Sequence, residues 1–332
     1  MHRRSLLAAL AAAPLLGLAR SAWGQLETSS SPAPASRLKS IARDARGTTL
    51  TLGLEHAPFP APGGGYRDDT VLVFVPAHYR YRATEGVAAL VHFHGHGTTA
   101  ERSLAAHELR EQLADSRQNA VLVVPQLAVM AADSSCGKLE VPGALNRLVA
   151  EALGVTAREG RTTLGETAFP ADAPVGTVCV SAHSGGYHAA ACCLRSGGID
   201  VRETYLFDAL YADLEVFRDW VVSRKGEPLQ RRHKLVSYFT EGGTTESLDV
   251  LLRGQLERAG VLCAHEMQEG ELSRHELSHA EAVFVRTGLW HSAVTWESNA
   301  LRDVLYASAL PRHMPTTWFA AKTGARPIER RR

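Results

Sequence analysis

The chain has little that would take it to a charged partner or into a bilayer. Its 36 Lys and Arg stand against 35 Asp and Glu, a formal net charge of +1. No field of one sign therefore draws it to nucleic acid or to an acidic membrane surface. Beyond the N-terminal segment no apolar run approaches the roughly 20 residues that a membrane helix needs. No internal repeat is present, which excludes solenoids and propellers of fixed period. Cysteine is sparse and odd in number: Cys136, Cys179, Cys192, Cys193 and Cys263 make no disulfide framework. Cys179, Cys192 and Cys193 lie in apolar stretches that suit buried small side chains. Cys136 lies in a polar loop and is the best candidate for a bond or a free thiol. What remains is an ordinary globular composition, 45% hydrophobic and 21% charged over 332 residues, enough for one large core.

The first residues read as an address. Arg3-Arg4 precede an apolar stretch, Arg20 follows it, and small residues come near Ala22 and Gly24, as in a cleaved export segment. The run Arg3-Arg4-Ser5-Leu6-Leu7 resembles a twin-arginine signal. The expected organisation is a signal peptide over 1–24, a Ser-, Pro- and Ala-rich linker over 25–45, one domain over 46–315, and a basic tail over 316–332. The mature protein is expected outside the cytoplasm, periplasmic or secreted.

Within the domain, apolar runs alternate with helical patterns. Strands are expected at Thr48–Leu54, Thr70–Pro76, Ala88–Phe93, Ala120–Pro125, Val178 onward, Thr204–Phe207, Lys234–Thr240, Val261–Met267 and Ala282–Thr287. Helices are expected over Thr99–Asp115, about Gly143–Leu153, after Ser184, over Leu214–Ser223, Leu248–Arg258 and Ser298–Leu310. Thr156–Pro174 reads as irregular. Continuous apolar strands are those covered on both faces, so the fold class is α/β, a mostly parallel sheet with helices on both sides. Ligands of such sheets sit beyond the carboxyl ends of the strands. His94, Gln126, Ser184, Asp208, Glu241 and His291 all lie at or just past such ends.

The stretch Val178–Leu194 organises the rest. A short apolar strand runs into a tight turn at Ser184 and leaves as a helix of small residues, the form of a nucleophile elbow. Such a turn crowds the positions two residues either side of the serine. Ala182 and Gly186 are small enough to stand there. Ala182-His183-Ser184-Gly185-Gly186 resembles the Gly-x-Ser-x-Gly core of the α/β-hydrolases, with Ala182 a departure from the first glycine. The order along the chain, Ser184, then Asp208 or Glu241, then His291, is similar to that family's serine, acid, histidine. The resemblance spans roughly Thr48–Leu310.

It implies an α/β-hydrolase fold and a serine hydrolase that cleaves an ester, or an amide, through an acyl-enzyme. Ser184 would be the nucleophile and His291 its base. Asp208 is the preferred acid and Glu241 the alternative. His94-Gly95 resembles the family's His-Gly oxyanion motif, so Gly95, the His96 amide and the Gly185 amide would receive the oxyanion. No cofactor is implied. The partner is a small or polymeric substrate rather than nucleic acid, and no transmembrane segment is expected after signal removal. Loops over 57–67, 130–141 and 156–174 would shape the pocket, with Tyr66, Tyr187, Trp290 and Trp296 as candidates for an aromatic wall.

Two other readings stand beside this one. His275-Glu276-Leu277-Ser278-His279 matches the zinc-peptidase pattern His-Glu-x-x-His, with Glu276 as base and Glu297 spaced as a third ligand. A solvated polar stretch is the plain alternative, because no long apolar helix surrounds it. The chain could also be a non-catalytic binding protein on the same fold, since fold does not establish activity.

Overall fold

One sheet of ten strands frames residues 36–313, the part of the chain that the computed structural model describes. The strands are β1 (Arg37–Asp44), β2 (Gly47–Gly53), β3 (Thr70–Pro76), β4 (Val87–Phe93), β5 (Ala120–Pro125), β6 (Val175–His183), β7 (Val201–Phe207), β8 (Lys234–Thr240), β9 (Cys263–Glu266) and β10 (Ala282–Thr287). They lie in the order β1-β2-β3-β5-β4-β6-β7-β8-β10-β9. β1 to β3 pair antiparallel, as do β3 and β5. From β5 across to β9 every pairing is parallel.

Alternation explains why β4 is apolar throughout. All seven of its residues are buried. Val87, Ala89, Val91 and Phe93 enter one core, and Ala88 and Leu90 enter the other. Successive side chains of a strand point to opposite faces, so a strand covered on both sides has no wet face. Burying each of its large aliphatic or aromatic side chains stabilises the fold by roughly 1.5–3 kcal/mol. The first core is closed by α3 (Ala144–Glu159), α5 (Tyr187–Ser196), α6 (Leu214–Val222) and α7 (Glu246–Arg258), with α4 (Arg161–Leu164) beside α3. The second is closed by α1 (Ala100–Ala106), α2 (Leu109–Ser116), α8 (Arg274–His279) and α9 (Ala300–Tyr306).

The structure corrects the sequence reading at three places. Residues 37–44, assigned to the linker, form β1. Leu38 and Ile41 pack on the core, and Arg37 and Lys39 pair with Asp69 at 2.7 Å each. The single helix expected over Thr99–Asp115 is two. Glu108 takes a left-handed φ of 49°, and the Gln112 amide donates to the His107 carbonyl across the break. Thr156–Pro174 is not wholly irregular, because α3 runs on to Glu159 with Val155, Thr156 and Ala157 buried. The His275–His279 stretch is helical, as the six-residue α8. The signal segment, most of the linker and the basic tail lie outside the described residues. No helix among the described residues is long and apolar enough to cross a membrane.

Register sets up the site. Phe93 of β4 is level with Ala182 of β6, His183 with Phe207 of β7, Phe207 with Tyr238 of β8, and Thr240 with Thr287 of β10. The carboxyl ends of five strands therefore open on one side, at the point where strand order reverses around β4.

Candidate active site

Ser184 stands between β6 and α5 with φ 52°. A non-glycine residue in that region costs roughly 1–3 kcal/mol and persists only where its surroundings hold it. They do so here by close packing. A Cβ on Gly186 would lie 2.3 Å from the Phe93 carbonyl oxygen, and one on Gly95 would lie 2.7 Å from Ser184 Cβ. Both positions exclude any side chain, which fixes the elbow against the end of β4. Ala182 is fully buried beneath it.

His291 and Asp208 are joined. His291 Nδ1 donates to Asp208 Oδ2 at 2.6 Å. Asp208 is buried, and its own φ is 46°. Thr240 Oγ1 donates to Oδ2 at 2.6 Å, Thr245 Oγ1 donates to Oδ1, and the Thr240 amide reaches Oδ1 at 3.4 Å. Burial alone would raise this carboxyl. The donors from His291, Thr240 and Thr245 outweigh it and hold the pKa down at about 2. Asp208 is thus a fixed anion with its lone pairs directed, which holds the proton on Nδ1 and leaves Nε2 as the ring's acceptor.

Glu241 is elsewhere. Its side chain is 59% exposed and pairs with Arg286 at 3.3 Å. It lines a cavity of about 580 Å³ with Glu266, Arg286 and Glu297, a cavity that does not include Ser184, His291 or Asp208.

The Gly95–His96 peptide is set by His94. The Leu127 amide donates to His94 Nε2 at 2.8 Å, so the ring proton is on Nδ1, which donates to the Gly95 carbonyl at 2.9 Å. In a trans peptide the N–H points opposite to the C=O. Holding the Gly95 oxygen therefore aims the His96 N–H the other way. That nitrogen is 3.3 Å from where a Cβ on Gly185 would sit. Gly95, His96 and Gly185 are brought together beside Ser184.

Behind the serine lies a run of neutral imidazoles. His183 is pushed down to about 3 by burial and by His107 beside it. His107 is pushed down to about 4 by burial and by His291. The His107 and His183 rings are 4.5 Å apart, and those of His183 and His291 are 4.7 Å apart. Neutral His183 Nε2 also bonds the His291 carbonyl at 2.9 Å, which ties the His291 loop to the elbow without a competing charge.

Sequence reasoning did not name Tyr211, Thr240, Thr245 or His183 as site residues. The Tyr211 side chain stands beside Ser184, and its ring is 6.5 Å from that of His291. Nothing in its sequence context signals this. Thr240 ends β8, so its placement follows from the strand-end rule once the register is known. Of the aromatic candidates, Tyr187 lies 6.0 Å from Tyr211, while Tyr66 packs on Phe59 at 5.3 Å. Trp290 is 83% exposed, and Trp296 is half-buried.

The His-Glu-x-x-His stretch does not assemble a metal site. Glu276 is held in a capping box with Ser273. Leu277 turns into the core while His275 and His279 stack on the surface at 3.9 Å. Among the described residues they gather no third ligand.

A mostly parallel sheet reversed at β4–β5 carries the serine turn after β6, the carboxylate after β7 and the histidine loop after β10. The fold is that of the α/β-hydrolases. No protein-family model matches the chain, and no curated protein matches it. Solved structures similar to it include an S-formylglutathione hydrolase from Agrobacterium tumefaciens, at 12% identity over 82% of this chain and 99% of that one, with a TM-score of 0.45. EstE1, a thermophilic carboxylesterase cloned from a metagenomic library, is 15% identical over 85% and 92% of the two chains, with a TM-score of 0.45. A ferulic acid esterase is 10% identical over 82% and 98%, with a TM-score of 0.43. Likeness at this level leaves the chemistry to be argued from this chain's own residues.

Proposed function

We propose that the protein is an exported serine hydrolase that cleaves a carboxylic ester through an acyl-enzyme on Ser184. The observation that carries the reading is the His291–Asp208 hydrogen bond at 2.6 Å, made at the strand ends where a serine is held in a left-handed turn. In the reaction the Ser184 hydroxyl turns to Nε2 of His291, which takes its proton as the oxygen attacks the ester carbonyl. Asp208 stabilises the imidazolium, and the His96 and Gly185 amides receive the oxyanion. His291 then returns the proton to the leaving alcohol, and water repeats the cycle to release the acid. Catalytic hydrogen bonds often tighten only once substrate is bound, so the Ser184–His291 bond is expected to form in the substrate complex.

The test is labelling with a fluorophosphonate, together with turnover of p-nitrophenyl esters of graded acyl length and of matched anilides. Stoichiometric labelling and ester turnover are expected, with anilides slower. Absence of both would pass the fold to a non-catalytic binder.

Export rests on Arg3-Arg4 and Arg20. Replacing both Arg3 and Arg4 with lysine should leave the protein in the cytoplasm of the producing cell, measured by fractionation. Undiminished export would point to the general secretory route.

A further inference from the structure

Three metal-ligating side chains converge on the elbow helix, away from the serine chemistry. His188 and Cys192 stand one turn apart on α5, on one face. Cys136 comes from the loop between β5 and α3. The sulfurs of Cys136 and Cys192 and a nitrogen of His188 all lie within 4.8 Å of one another. Among the described residues no other group of three His, Cys, Asp or Glu does so. Both cysteines are buried and His188 is a quarter exposed.

The distances suit a soft divalent ion. Cys192 Sγ is 3.6 Å from His188 Nε2. A tetrahedral ion with bonds of about 2.3 Å to sulfur and 2.0–2.1 Å to nitrogen would span two such ligands by about 3.6 Å. The histidine is already oriented. Its Nδ1 donates to Asp213 Oδ2 at 2.7 Å, and Asp213 is held in turn by Arg195 at 3.3 Å. A carboxylate on the far nitrogen fixes the tautomer that presents Nε2 to a metal. Charge is balanced as well. Two thiolates and a divalent cation sum to zero, so a filled site leaves no net charge in a largely buried place.

We propose that Cys136, His188 and Cys192 bind one zinc-class divalent ion, with Asp213 behind His188 and the fourth position left to water. Binding needs both sulfurs as thiolates and the ring neutral, so it releases to solvent the protons that these groups carry. The ion ties the β5–α3 loop to α5. That loop also carries Ser134, whose Oγ lies 3.2 Å from where a Cβ on Gly185 would sit. The metal thus braces the wall beside the elbow without touching the reacting atoms.

The test uses the full chain, purified without a polyhistidine tag, reduced, freed of metal by dialysis against a chelator, and titrated with Co²⁺ and then Zn²⁺. One Co²⁺ per chain is expected, with a thiolate-to-cobalt charge-transfer band and tetrahedral ligand-field bands that zinc displaces. Asp213→Asn leaves the ligands in place and should weaken the affinity roughly 10- to 100-fold. Cys136→Ser and Cys192→Ser should each abolish the charge-transfer band of the intact site. The double variant His275→Ala, His279→Ala should bind as the parent does. No saturable binding, binding unchanged in the Asp213 and cysteine variants, or a Cys136–Cys192 disulfide in the unreduced peptide map would overturn the proposal. None of these readouts depends on turnover, so the result is independent of the hydrolase reading.

Discussion

Ser184→Ala should fold as the parent does, lose fluorophosphonate labelling, and lose about 10⁶ in kcat toward any ester that the parent cleaves. The size follows from what is removed. On the proposed mechanism no acyl-enzyme forms without the hydroxyl, and His291 and Asp208 have nothing to activate. What survives is the binding of substrate and the polarisation of its carbonyl by the His96 and Gly185 N–H groups. The fold should be untouched, because Ser184 is half-buried and alanine removes only its hydroxyl. Circular dichroism and a thermal melt check that part, and intact-mass analysis after labelling checks the chemistry. Labelling that persisted in the variant would move the nucleophile elsewhere.

Asp208→Asn should cost on the order of 10⁴ in kcat with little change in KM. Asparagine keeps the shape and loses one acceptor. With its NH₂ in the place of Oδ2, it offers a donor where His291 Nδ1–H and Thr240 Oγ1–H both donate to Asp208. The imidazole answers by moving its proton to Nε2, where it can no longer accept from serine. Glu241→Gln should cost tenfold or less, because that carboxylate pairs with Arg286 at 59% exposure and an exposed ion pair is worth ~0–1 kcal/mol. Steady-state kinetics on the two purified variants decide between them. The reverse order would pass the role of acid to Glu241, and full activity in both would remove the triad altogether.

The sequence made the sheet legible because its parallel strands are buried on both faces and so read as unbroken apolar runs. β4 and β5 are the clearest cases. β1 was hidden for the opposite reason. It lies at the edge, most of its residues are exposed, and a charged edge strand resembles a linker. The break between α1 and α2 shows only as a five-residue step from Leu104 to Leu109, one residue beyond the helical repeat that Leu109 and Leu113 keep. The left-handed Glu108 lies within that step. At the site, Ser184, Asp208 and His291 were readable as strand-end residues in a meaningful order. Their helpers were not. Thr245 and Tyr211 approach Asp208 and Ser184 through loops whose paths depend on packing. Cys136 meets His188 and Cys192 only because the β5–α3 loop folds back over α5.

The charged strand β1 bears on how the protein behaves at high concentration. A sheet edge is a row of unspent N–H and C=O groups, and a flat apolar edge is a template on which a second copy can stack. Here the outermost strand carries Arg37, Lys39, Arg43 and Asp44. The opposite edge, β9, is only four residues long. A second copy approaching either side would have to bury charge or settle for a very short ladder. With a formal charge of only +1, the chain has little long-range repulsion to keep copies apart. Protection against edge-to-edge stacking therefore falls to those two margins, one guarded by charge and the other by brevity.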